Sequence, residues 1–259
     1  MPLNWLLEAA KWQYLLKDIQ QIPFSKSIKG VLIGITSGMA TPNRIGEYVG
    51  RTYVLTKHNR VKGSLATMLG SLSQIMITLI LGMFGWFLLF NQIRFFEHLH
   101  YRPIFIALLS VLMIFLILLY YNLNWIKNLA KWLSINQKYI DEIRFLSKYK
   151  APELSFIMFL SFFRYVVFAG QYILFLKGLG VEIPLLSSLS AITVIFLIIV
   201  FIPHFSITEL GVRSSVAVLI FQNFTNELHL IATAAAILWL VNLAVPTLIG
   251  SFLLLTRNR

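Results

Sequence analysis

The sequence predicts an all-α, polytopic helical membrane protein with two re-entrant or broken-helix hairpins of opposite direction. Three observations predict it. Of 259 residues, 58% are hydrophobic and 12% charged, whereas a soluble globular domain has about 25% charged and 45–50% apolar residues. The long apolar runs are continuous, without the alternation of a barrel strand, and helices are then the structure that satisfies the backbone inside lipid. Two proline-bearing polar stretches, 40–51 and 203–213, break into otherwise hydrophobic sequence. Residues 1–259 read as a single integral membrane domain with no separable soluble part.

The formal charge is +12, from 22 Lys and Arg against 10 Asp and Glu. Cytoplasmic loops of membrane proteins collect basic residues, and anionic lipid headgroups are their natural partner. No basic soluble module is present, so nucleic acid is not an expected partner. The chain has no cysteine, which excludes disulfides, thiolate metal sites and a thiol nucleophile. No cofactor is expected.

Residues 3–22 predict an amphipathic helix. Trp5, Ala9, Trp12, Leu16 and Ile19 share one face, with Glu8, Lys11, Gln13, Lys17 and Asp18 elsewhere. Lys11 and Lys17 interrupt the apolar core that a cleaved signal would need. Residues 1–27 then either lie at the membrane interface or form the tail of a truncated spanning helix. Residues 28–50 start apolar and turn polar after Ala40, too early for an ordinary span. Basic Arg51, Lys57, Arg60 and Lys62 follow.

Spans are expected at 64–90, polar at its start and closed by Trp86, and at 103–121, ended by Tyr120 and Tyr121. Residues 122–153 carry Lys127, Lys131, Lys138, Arg144, Lys148 and Lys150, with Trp125, Leu129, Trp132 and Ile135 at helical spacing. They predict cytoplasmic surface helices. Residues 154–176 span with Arg164 inside the run, 185–202 are apolar up to Pro203, and 230–255 span last with Asn242 and Pro246 inside. Asn242 and Gln171 are expected to hydrogen-bond between helices.

The basic loops at 51–62 and 122–153 and the basic C-terminus, with Arg257 and Arg259, belong to the cytoplasm. Spans 64–90, 103–121, 154–176 and 230–255 satisfy that assignment by alternating direction. The remaining segments must return to the side they left: 30–50 from the cytoplasm, 185–222 from outside.

These hairpins share a pattern. The first carries Pro42, Arg44, Gly46, Glu47 and Arg51; the second carries Pro203, Ser206, Glu209, Gly211 and Arg213. In each, Glu precedes Arg by four residues, which places the pair on one helix face. Proline-interrupted segments in corresponding positions point to a transporter site built from broken helices. Thr41-Pro42 fits an N-cap followed by proline at the first helical position, and Ser206-Ile207-Thr208-Glu209 fits a capping box. Each hairpin is expected to present a helix N-terminus to an anion, with Arg44 supplying a fork suited to phosphate. Two further readings stand beside this one. The Glu–Arg pairs neutralise each other so that a helix break is tolerated, or Arg51 snorkels to the interface. Arg164, about ten residues into its span, calls for a buried glutamate partner.

At these residues the chain resembles the transmembrane, flippase-like region of the lysylphosphatidylglycerol synthase family. Pro42, Arg44, Gly46 and Glu47 match that family's Pro-x-Arg-x-Gly-Glu signature, and Pro203 with Gly211-Val212-Arg213 is similar to its Pro … Gly-x-Gly-Val-Arg-Glu segment. Three departures stand out: Glu209 where glycine is usual, Ser214 in place of glutamate, and one additional residue after Pro203. Membrane segments that the family carries ahead of this region are expected to be missing.

The resemblance implies residence in a bacterial inner membrane, multi-pass, and translocation of a phospholipid or other anionic lipid. The soluble aminoacyl-transferase domain of the full synthase is absent from the sequence, so the expected activity is to move or bind a lipid, not to aminoacylate it. An intramembrane lipid-modifying enzyme and a non-transporting membrane subunit remain as alternatives. Against an enzyme, the sequence has no His-Glu-x-x-His, Gly-x-Ser-x-Gly or Walker motif. His98 and His100 beside Glu97 are an incomplete metal set. A homo-oligomer is a further possibility the sequence leaves open.

Overall fold

A computed structural model describes residues 1–89, 102–125, 128, 132, 144–203 and 206–256. Among them every regular element is helical. Helix α1 (Pro2–Leu15) opens with proline in its first turn, where the missing N–H costs nothing. Helix α2 (Phe24–Met39) follows Pro23, and a tight turn at Pro42–Arg44 leads to the short helix α3 (Gly46–Arg51). Then come α4 (Arg60–Leu89), α5 (Arg102–Tyr121), α6 (Ala151–Gly178), α7 (Leu185–Phe201) and α8 (Ser206–Phe221). The chain closes with α9 (Leu228–Trp239), a π-helical stretch at Leu240–Ala244, and α10 (Val245–Leu255).

Among the described residues, three segments are long and apolar enough to cross a membrane: Lys57–Leu89, Ala151–Gly178 and Leu228–Leu255. Ile106–Tyr121 and Leu185–Phe201 are shorter apolar helices. Many large apolar side chains on their outer faces, such as Phe84, Phe87, Leu108, Phe159 and Leu248, are exposed. A hydrocarbon solvent accounts for that pattern, and water does not. The chain is a polytopic helical membrane protein.

The π-helical stretch has a local cause. Pro246 has no N–H to donate to the carbonyl of Asn242, and its ring crowds that carbonyl, so the ladder widens by one residue there. The Asn242 amide donates to Leu238 O at 3.0 Å and accepts from Asn4 Nδ2 at 3.1 Å. The expected interhelical role of Asn242 holds. Gln171 does not follow it: its Oε1 is buried with no hydrogen-bond partner among the described residues.

Two apolar cores share helices α4 and α6. One gathers α4, α6, α7, α8 and α9 around Tyr172, Ile192, Ala217 and Ile231. The other gathers α1, α2, α4 and α6 around Trp12, Leu16, Met76 and Ile157. Helix α1 departs from an interfacial helix with one wet face. Both its apolar Trp12 and Leu16 and its charged Glu8 and Lys11 are buried, because α2, α4 and α6 pack around it. The polar stripe of Asn4, Glu8 and Lys11 faces the bundle and meets polar partners there.

Most of the surface-helix region at 122–153 lies outside the described residues. Its described end is packed against the protein: Phe145, Leu146 and Tyr149 are buried, and the Tyr149 hydroxyl donates to Leu15 O. Nearby, Lys17 pairs with Glu153, which holds the Lys17 ammonium above its ordinary range.

Candidate functional site

The first hairpin, expected at 30–50, is formed by α2, the turn and α3 over residues 24–51. Helix α2 carries Gly30, Gly34 and Gly38 along one face, and the absence of side chains there lets neighbours come unusually close. A Cβ on Gly34 would lie 2.4 Å from Arg51 Cγ, and one on Gly38 would lie 3.2 Å from Glu47 Cβ and 3.6 Å from Arg44 Nε. From α3 the favour is returned, since a Cβ on Gly46 would sit 2.3 Å from Ser37 O. The glycines thus lay Arg51, Glu47 and Arg44 in a row along α2.

The turn between the helices is sharp. Asn43 and Arg44 have positive φ of 48° and 57°, a left-handed conformation that costs an L-residue about 1–2 kcal/mol. Thr41 Oγ1 accepts the Gly46 N–H at 2.7 Å. This corrects the expectation of an open helix N-terminus at Thr41-Pro42. Pro42–Arg44 is one tight turn, α3 has only 6 residues, and its first amide is already taken by the threonine. The capacity of this hairpin to hold an anion therefore rests on side chains.

Those side chains form a ladder of alternating charge. Arg44 Nη2 lies 2.9 Å from Glu47 Oε2, and Arg51 Nη2 donates to Glu47 Oε1. Arg51 Nη1 reaches Glu8 Oε1 at 2.6 Å, and Arg164 Nη1 reaches Glu8 Oε2 at 2.7 Å. Lys11 joins the same carboxylate at 2.9 Å and donates to Gly70 O at 3.2 Å and Ser161 Oγ at 3.3 Å. Asn4 Oδ1 holds Arg164 Nε at 2.8 Å. The inner members are the most buried, with side-chain exposure of 3% for Arg51 and 5% for Glu8. At the two ends, Arg44 and Arg164 are 24% and 20% exposed.

Arg164 has the buried glutamate it calls for. That glutamate is Glu8, on the polar side of the amphipathic helix expected at residues 3–22. Arg51 does not snorkel, because it is enclosed between two carboxylates. Glu8, Lys11 and Asn4 were not among the expected site residues. Their signal was the spacing 4, 8, 11, which aligns one amide, one acid and one base on a single helical face.

The second hairpin is built from α7 and α8. Glu209 is fully buried, and Arg213 donates to its Oε1 from Nε at 2.8 Å and from Nη2 at 2.6 Å. Gly211, two residues from each member of the pair, lies on the opposite side of α8, with nothing within 4 Å of where its Cβ would be. Pro203 marks the end of α7, His204 and Phe205 lie outside the described residues, and so does the side chain of Ser206, on which the capping-box reading depends. Helix α8 approaches both α2 and the Pro42–Arg44 turn, so the two hairpins meet. Glu97, His98 and His100 also lie outside the described residues.

Two of the recesses among the described residues lie apart from the ladder. One, of about 540 Å³, is bounded by Lys177, Glu182 and Pro184; the other, of about 420 Å³, by Met83, Trp86, Phe87, Ile106, Leu109 and Leu197. Neither touches the ladder, whose access is through the exposed faces of its terminal arginines.

Fold and site together define a polytopic membrane protein with a buried ionic network braced by a broken-helix hairpin. The family model described as lysylphosphatidylglycerol synthase TM region matches residues 1–250. The chain belongs to that family. No curated protein and no solved structure matches it.

Proposed function

We propose that this chain is a flippase-like carrier that binds the anionic headgroup of a phospholipid at its two hairpins and translocates it without altering it. The observation that carries this reading is the ladder's form: buried shared carboxylates inside, a partly exposed arginine at each end. Ionisable groups at membrane depth mark a substrate path, and an arginine fork suits phosphate oxygens. Membership of the family supports the lipid as cargo. Pro42, Gly46 and Thr41 shape the turn that offers Arg44, Glu47 and Arg51 hold it, and Glu209 with Arg213 lies on α8, the helix that approaches this turn. In the bacterial inner membrane, the basic loops put the C-terminus in the cytoplasm. The first hairpin then opens from the cytoplasm and the second from outside.

The test is reconstitution into phosphatidylglycerol vesicles carrying a fluorescent phosphatidylglycerol, with quencher added outside. The wild-type protein is expected to expose the inner-leaflet probe, with the lipid pool unchanged by mass spectrometry. Arg44→Ala and Glu47→Gln are expected to remain folded and lose the exposure. Unchanged lipid flip with both substitutions would remove the site, and a new lipid species in the mass spectrum would replace the carrier with an enzyme.

A further inference from the structure

Resting on that reading, the charge balance of the ladder goes further and defines the class of headgroup. Among the described residues the network contains four cations, Lys11, Arg44, Arg51 and Arg164, and two carboxylates, Glu8 and Glu47. Its formal charge is therefore +2. The second hairpin adds Arg213 with Glu209, one of each sign, and leaves that excess as it is. Lys11 is held as an ammonium by geometry: Glu8, Gly70 O and Ser161 Oγ match its three donors.

Unspent donors accompany the excess charge. The Nε atoms of Arg44 and Arg51 are buried without an acceptor, although both side chains lie along the same glycine face of α2. A buried N–H without a partner is costly and calls for an explanation. Two negative charges and several acceptor oxygens would complete the network.

We infer that the ligand of this site is a dianionic phosphate headgroup, such as a lipid phosphomonoester. A phosphomonoester carries close to two charges above its second ionisation and presents three acceptor oxygens. A phosphodiester such as phosphatidylglycerol brings one charge and leaves the site at +1. A zwitterionic headgroup leaves it at +2, and a headgroup bearing an additional amine makes the imbalance worse. Free inorganic phosphate has the same headgroup chemistry and lacks the acyl chains.

The experiment titrates the full chain in maltoside micelles at pH 8 and reads thermal stabilisation. The probes are dihexanoyl phosphatidic acid, dihexanoyl phosphatidylglycerol, dihexanoyl phosphatidylcholine and inorganic phosphate. Phosphatidic acid is expected to bind about tenfold or more tighter than phosphatidylglycerol, the effect of one additional partly screened charge. Phosphatidylcholine should give no shift, and inorganic phosphate should bind more weakly than phosphatidic acid. Arg44→Gln, at an exposed end, and Arg164→Gln each lower the excess to +1. Each should bring the two anionic lipids to within about threefold of one another.

Equal affinity of the wild type for phosphatidic acid and phosphatidylglycerol overturns the dianion and leaves the lipid carrier standing. Inorganic phosphate binding as tightly as phosphatidic acid supports the dianion and overturns the lipid as its source. No binding by any anion overturns both.

Discussion

Glu8→Gln is the sharpest perturbation of this fold. The carboxylate faces Arg51 at 2.6 Å, Arg164 at 2.7 Å and Lys11 at 2.9 Å, and its side chain is 5% exposed. Glutamine keeps the shape, removes the charge, and aims an NH2 donor at a cation that needs an acceptor. Breaking a buried pair by removing one partner costs about 3–5 kcal/mol, a large share of a total near 5–15 kcal/mol. For a chain of this size that corresponds to a fall in Tm of roughly 6–20 °C. Lys11 is as buried and as well bonded, yet Lys11→Met removes charge from a site with positive excess. It loses little more than hydrogen bonds, about 1–2 kcal/mol. The paired substitution Glu8→Gln with Lys11→Met should recover part of the Glu8 loss, a coupling of about 1 kcal/mol or more between contacting groups. Intrinsic tryptophan fluorescence during heating in detergent reads all three. A Glu8→Gln shift of less than about 2 °C, or a Lys11→Met shift as large as that of Glu8→Gln, would refute the reasoning.

Other substitutions separate packing from charge. Gly34→Ala puts a methyl 2.4 Å from Arg51 Cγ, so the arginine must leave its place between two carboxylates; a Tm loss matching about 1–3 kcal/mol is expected, checked by the same melt. Gly211→Ala meets nothing within 4 Å and should raise stability by about 0.5–1 kcal/mol. If that variant is more stable but slower in vesicle translocation, Gly211 adjoins the lipid's path. Thr41→Val leaves the Gly46 N–H without its 2.7 Å acceptor and is expected to cost about 1 kcal/mol, seen as faster hydrogen exchange across 46–51 than across α4.

Much of the fold was legible because membrane helices are coded by composition over long windows. The runs at 64–90, 103–121 and 154–176 became α4, α5 and α6 with ends shifted by a few residues. The last span carries an interruption that composition cannot show, since Pro246 widens the helix rather than ending it. The burial of Glu8 and Lys11 on α1, which an interfacial helix would leave wet, has a different origin. Amphipathicity distinguishes two faces and says nothing about which lies in water, and here both are covered. A charged residue in a mostly apolar protein has two destinations, the interface or a partner. Glu8 was sent to the first because its partners, Arg51 and Arg164, stand 43 and 156 residues away. Periodicity within one helix carries no information over such distances.

The two hairpins also differ in a way that their shared Glu-x-x-x-Arg spacing hides. Arg213 directs Nε and Nη2 to a single oxygen of Glu209, the arrangement expected if an ion pair exists to make a helix break tolerable. Arg51 instead divides its two Nη groups between Glu8 and Glu47, and each carboxylate is shared again, with Arg164 and Lys11 on one side and Arg44 on the other. Mutual neutralisation explains an arginine that gives two donors to one carboxylate. It does not explain a ladder that begins and ends on a cation. Arg51 and Glu47 each have two charged partners and Glu8 has three, whereas Arg44 meets one carboxylate among the described residues and keeps an exposed face. An anion drawn to Arg44 would compete with Glu47 for its guanidinium, and Glu47 in turn shares Arg51 with Glu8. Helix α1, the first hairpin and helix α6 are joined through these shared ion pairs, so under the proposed function an anion on Arg44 would be felt across the bundle.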